Sequence, residues 1–138
     1  MNASAMWLGH AEVLTHMATV ELTSANFSET IEKSDVILID FWAEWCGPCR
    51  RFAPIFDAAS EKYPDLTFAK LDTENNQDIA AALEITSIPT LMVVKGGMLL
   101  YREAGALNAP QLEGLISEVE KVDIEKLKAE ATTESQSV

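Results

Sequence analysis

Cysteine is scarce in this chain of 138 residues: there are two, Cys46 and Cys49. A disulfide framework usually needs four or more, so cross-links do not hold this fold together. Basic residues are few as well, 10 against 22 acidic ones, for a formal net charge of −12. That balance disfavours DNA, RNA and anionic membranes as partners, while acidity alone names no other partner. No apolar run approaches the roughly 20 residues of a membrane-spanning helix. No glycine-rich phosphate loop is present, so nothing in the chain points to a bound nucleotide. The opening stretch MNASAMWLGHAEVLTH contains no Lys or Arg, and a secretion signal without a basic start is not expected. Residues 1–17 read as a disordered leader, and Met17 is an alternative start of the chain.

What is there suits one domain with a real core, since nearly half the residues are apolar and about a quarter charged. Thr19–Leu22 alternates as a short strand, and residues 24–33 carry Phe27 and Ile31 at helical spacing. Val36–Trp42 is β-branched, aromatic and apolar on both faces, as a central covered strand should be. A helix from Pro48 would present Phe52, Ile55, Phe56, Ala59 and Tyr63 to the core, with Pro54 expected to kink it. Leu66–Leu71 reads as a further strand, and Asn75 as the cap of a short helix through Ile79 and Leu83.

TSIPTLMVV supplies another strand, and KGG at 95–97 is a hairpin turn into Met98–Glu103. Asn108, Pro110 and Gln111 form a capping box for a last helix with Leu112, Leu115, Ile116 and Val119 on one face. The predicted order is βαβαβαββα: an α/β fold with one mixed sheet and helices on both faces. Its domain spans 18–122; residues 123–138 read as a helical extension that passes into a solvated acidic tail, ATTESQSV.

The chemistry concentrates in ILIDFWAEWCGPC, residues 37–49. A zinc site needs four ligands, and beyond the cysteines only His10 and His16 remain, both in the leader. Two inert core cysteines are the bland alternative. A structural disulfide closing so short a loop would restrain the unfolded chain little. A reversible dithiol explains the surroundings better. Between a strand and a helix, the first sulfur lies near the helix N-terminus, where amides and the dipole favour thiolate. The second, one turn on, can attack a mixed disulfide formed by the first. Gly47 permits the close approach and Pro48 presets the first helical turn. Asp40 shares a strand face with Val36, Leu38 and Trp42, so it should be buried, with a raised pKa. It is either a structural acid paired with Lys70 or a group that exchanges a proton with the dithiol.

FWAEWCGPC at 41–49, with Asp40 before it, SIPT at 87–90 and KGG at 95–97, resembles the thioredoxin family over about residues 18–120. Thioredoxin-like proteins are the usual example of Cys-x-x-Cys beside a βαβ unit, so the motif carries the resemblance and is not independent of it. The resemblance implies that Cys46 is the attacking thiol and Cys49 the resolving one, with Cys46 the more exposed. It makes Trp45, Gly47 and Pro48 the redox loop, Asp40 the buried proton acceptor and Lys70 its neighbour. Pro89 would be cis, with Trp45, Ile88, Gly105 and Ala106 forming a shallow substrate groove. Arg50–Arg51 stands where many relatives carry a lysine first, and the leader and tail lie outside the pattern.

The function so implied is a cytoplasmic, monomeric protein-disulfide reductase acting on disulfide-containing substrate proteins. It would bind no metal or cofactor and would take electrons from NADPH through a flavin-containing thioredoxin reductase. An oxidase or isomerase on the same fold would need an oxidising compartment. A binding module with incidental cysteines would survive serine at both positions.

Overall fold

The structure, a computed structural model, describes residues 18–137, with side chains through residue 131. The leader, the start at Met17 and the two histidines lie outside the described residues. The strands are β1 (Val20–Leu22), β2 (Val36–Trp42), β3 (Thr67–Asp72), β4 (Thr90–Lys95) and β5 (Met98–Ala104). The helices are α1 (Phe27–Lys33), α2 (Gly47–Lys62), α3 (Gln77–Ala82), α4 (Ala109–Lys121) and α5 (Ile124–Ser137).

The strands form one sheet in the order β1-β3-β2-β4-β5. β3 runs parallel to both β1 and β2, while β2–β4 and β4–β5 are antiparallel. This is the mixed sheet expected from the order of elements. β2 lies at its centre, and its period of two distributes side chains to two cores. Val36 and Leu38 pack with Phe52 and Phe56 of α2 and Leu112 and Ile116 of α4. Ile37, Ile39 and Phe41 pack on the opposite face with Phe27 and Ile31 of α1 and Ile79 of α3. A strand covered on both faces needs the continuous apolar run that β2 has. Asp40 is the exception within it, and it falls on the α2/α4 face.

Helix boundaries follow the capping chemistry in some places and depart from it in others. Asn108 and Gln111 exchange both hydrogen bonds of a capping box at the start of α4. Pro54 lies inside α2, which continues through it to Lys62. Asn75 does not cap α3. Asn76 stands at the N-cap position, and its side chain binds elsewhere: Oδ1 accepts from the Ser24 amide at 3.0 Å and Nδ2 donates to the Asp72 carbonyl at 3.0 Å. Buried, it ties the β1–α1 loop to the end of β3 in place of capping its own helix.

The tail is helical further than its polar composition suggested, since the backbone of ATTESQSV continues α5 as far as Ser137. Asp123 starts this helix by accepting from the Lys126 amide at 3.1 Å, and Glu, Lys, Leu and Ala then favour its propagation.

At the end of the sheet remote from the cysteines, Gly96 (φ +56°) and Gly97 (φ +83°) make the hairpin turn, both in the left-handed region. Lys95 donates to the carbonyls of Val119 (2.8 Å), Glu120 (3.3 Å) and Val122 (2.8 Å), satisfying the exposed end of α4. Ile124 of α5 closes over the turn, so a Cβ added at Gly96 would lie 2.7 Å from Ile124 Cγ2. Gly96→Ala should therefore destabilise the protein by about 2 kcal/mol, backbone strain and overlap together. In an Ile124→Ala background the cost should fall to about 1 kcal/mol. Denaturant unfolding of the four proteins measures this; equal costs in both backgrounds would mean that α5 does not rest on the turn.

Candidate redox site

β2 ends at Trp42, and four residues later the chain turns into α2 with Cys46 as N-cap, its backbone extended at φ −88°, ψ 113°. The Cys46 sulfur occupies the position of a capping oxygen and accepts from the Cys49 amide at 3.2 Å. Pro48 fills the first turn of α2, where its missing N–H leaves no donor unsatisfied. Cys46 and Cys49 are joined as a disulfide, with Cα atoms 5.2 Å apart. The loop carrying the two cysteines thus joins the end of β2 to the first turn of α2. Relative exposure does not separate the two cysteines, however: Cys46 is 4% exposed and Cys49 3%. Cys46 was expected to be open to solvent; in the closed disulfide, the helix terminus rather than exposure distinguishes it.

The Ile88–Pro89 peptide is cis and faces this loop. The Ile88 carbonyl oxygen lies 3.7 Å from the Cys46 sulfur, and Ile88 and Trp42 pack against Ala43, Cys46 and Cys49. The Pro89 carbonyl accepts from the Gly105 amide at 2.8 Å, which fastens the start of the loop after β5 beside the redox loop. Gly105 adopts φ +111°, a backbone conformation open to glycine. Trp45 is 66% exposed, the largest exposed side chain near the disulfide.

Trp45 and Ile88 line a pocket together with Thr73, Glu74, Gln77 and Ile85. Gly105 and Ala106 are exposed and do not line this pocket. The residues from the β3–α3 connection were missed. The signal for them is topological: β2 and β3 are parallel, with Trp42 opposite Asp72. Their following loops must meet at the same edge. The Thr73 amide donates to the Trp42 carbonyl at 2.9 Å, joining them.

Behind the disulfide, Asp40 is 1% exposed, and neither carboxylate oxygen has a hydrogen-bond partner. Burial is the main cause of its pKa rising from 3.8 to about 7; the Lys70 charge opposes the rise and the Asp57 charge adds to it. Asp40, Cys49, Arg50 and Lys70 line a common cavity of ≈ 100 Å³. Lys70 lies opposite Asp40 in the β2–β3 register. Its Nζ lies 3.4 Å from Asp57 Oδ1, and neither Asp40 oxygen accepts a hydrogen bond from it. Among the described residues no cluster of three or more His, Cys, Asp or Glu is arranged to hold a metal ion.

The family model for Thioredoxin matches residues 18–121. The chain belongs to the thioredoxin family. A Streptomyces coelicolor protein provisionally named thioredoxin 2 is 44% identical over 111 residues, covering 80% of this chain and 83% of that one. The thioredoxin of Alicyclobacillus acidocaldarius is 41% identical over 103 residues, 74% of this chain and 98% of its own. Mitochondrial thioredoxin 3 of Saccharomyces cerevisiae, solved in its oxidised form, superposes with a TM-score of 0.67 at 35% identity, covering 75% of this chain and 98% of that one. As a member of the thioredoxin family the protein is a thiol–disulfide oxidoreductase, with the Cys46–Cys49 pair in its Cys-x-x-Cys motif. No helix among the described residues is long and apolar enough to cross a membrane.

The raised pKa of Asp40 has a consequence for stability. Between the ordinary value of 3.8 and about 7, the folded protein holds a proton that the unfolded chain has released. Stability therefore falls as pH rises through that window, by up to about 4 kcal/mol. Asp40→Asn should be more stable than the parent at pH 8, and the advantage should shrink toward pH 4. Chemical denaturation at the two pH values checks this; a variant equally destabilised at both would show that Asp40 does not titrate near neutrality.

Proposed function

We propose that this protein reduces disulfides in partner proteins, with residues 18–122 carrying the activity. The observation that carries the reading is the Cys46 sulfur as N-cap of α2, bonded to Cys49 one turn on. In the reduced protein, the Cys46 thiolate attacks one sulfur of a substrate disulfide. The substrate's S–S bond breaks, its other sulfur leaves as thiolate and takes a proton, and Cys46 stays joined to the substrate. Asp40 then accepts the Cys49 proton across the cavity they share, and the Cys49 thiolate attacks Cys46. The second substrate sulfur leaves, and the protein is left as the Cys46–Cys49 disulfide, having given up two electrons.

Trp45, Gly47 and Pro48 shape the loop presented to the substrate. Trp45, Ile88, Pro89, Gly105 and Ala106 form its contact surface, where the Ile88 backbone can pair with an extended substrate segment. Lys70 tunes Asp40. No bound cofactor takes part. A thioredoxin reductase carrying flavin returns the electrons from NADPH, a reading supported by the Mycobacterium leprae bifunctional thioredoxin reductase/thioredoxin. That protein matches 73% of this chain at 39% identity, and the match occupies 22% of its own length. The protein acts as a cytoplasmic monomer.

NADPH oxidation in the presence of a thioredoxin reductase and insulin tests the activity. The parent protein should sustain turnover, and Cys46→Ser or Cys49→Ser should lower it to background. The order of events has its own signature. Cys49→Ser, blocked after the first attack, should accumulate reductant-sensitive conjugates with disulfide proteins, whereas Cys46→Ser should trap few. Turnover retained without both cysteines, or equal trapping by the two folded variants, would overturn the proposal.

A further inference from the structure

Three charged groups from three elements meet behind the disulfide: Asp40 of β2, Lys70 of β3 and Asp57 of α2. Parallel register puts Lys70 beside Asp40 on the same face of the sheet, about 4.8 Å away along the backbone. A lysine stem easily spans that distance, and Asp40 has two oxygens without partners. The ammonium nevertheless lies 3.4 Å from Asp57 Oδ1. Asp57 is on the same face of α2 as Cys49 and Ala53, at successive intervals of four residues. Ala53 is small and helps line the cavity between Cys49, Asp40 and Lys70. The Asp57 and Lys70 side chains are 26% and 21% exposed, so solvent screens this pair only in part.

We propose that Asp57 is a positioning residue for the exchange reaction: by holding the Lys70 ammonium, it prevents a Lys70–Asp40 ion pair and leaves the Asp40 carboxylate free to take the proton of Cys49. A direct ion pair would supply hydrogen bonds and an opposite charge to ionised Asp40, weakening it as a base. The other groups facing Asp40 do not replace Asp57. Arg50 and Cys49 reach the cavity from α2, β4 presents Leu91 at the paired position, and α4 contributes Leu112 and Ile116 to this face. The inference rests on Asp40 acting as the base, the role assigned above. Its test needs no substrate and can fail independently of the reductase activity.

The titration of Asp40, followed through its carboxyl carbon by NMR in the disulfide form, reads the effect directly. Asp57→Asn should lower the Asp40 midpoint by about one pH unit, since Lys70 becomes free to turn toward it. Asp57→Ser, which removes the carboxylate without its bulk, should act in the same direction. Part of any such fall comes from losing the negative charge of Asp57 through space, and a second background isolates the rest. In Lys70→Met, adding Asp57→Asn should move the midpoint by less than half as much as it does in the parent. An unchanged midpoint in Asp57→Asn, or an equal fall in both backgrounds, would overturn the proposal.

Discussion

The Cys49 amide donates to the sulfur of Cys46 across the first turn of α2, and the site is organised around that contact. It requires the chain to leave β2 and enter the helix within a few residues, with an extended residue at the cap. Gly47 and Pro48 make the entry possible. A sulfur is a poorer acceptor than the oxygens of Ser, Thr, Asp or Asn that usually occupy an N-cap. The helix therefore begins with less stabilisation than it might have, as functional sites often do. In return, the first unsatisfied amides and the positive end of the dipole point at the atom that must carry charge in the proposed cycle.

Asp40 is the second departure from what stability alone would select. A carboxylate in a covered central strand, with both oxygens unpartnered, is a group that most cores replace with an apolar side chain. Here it opens on a cavity shared with Cys49. Burial raises its proton affinity to about neutrality, the range in which an acid can both accept and release a proton during turnover. Lys70 moderates that affinity from β3 while its ammonium is paired with Asp57. The strand, the helix and the neighbouring strand thus each supply one component, and the parallel β2–β3 register holds them in place.

The central architecture was legible because β2 is continuously apolar and α2 shows an apolar stripe, with Phe52, Phe56 and Ala59 buried. The hairpin was legible from two glycines in a two-residue turn, and the capping box of α4 from Asn108 and Gln111. Less legible were features decided by tertiary contacts. Asn75 and Asn76 are equivalent as caps by type, and only the Ser24 and Asp72 backbone groups select the second. Lys70 is one residue from Leu71 in a strand, and nothing local indicates that Asp57, far along α2, claims its ammonium. The pocket beside Trp45 draws on Thr73 and Glu74 through strand register rather than motif. The polar composition of ATTESQSV does not reveal that the helical extension continues as far as Ser137.

The most direct test of the account is the pH dependence of alkylation at each cysteine in the reduced protein, resolved by mass spectrometry. If the end of α2 activates the first sulfur, Cys46 should react as a thiolate with an apparent pKa clearly below the ordinary value of about 8.5, and faster than Cys49 at neutral pH. An apparent pKa for Cys46 at or above the ordinary thiol value, or faster reaction at Cys49, would contradict it.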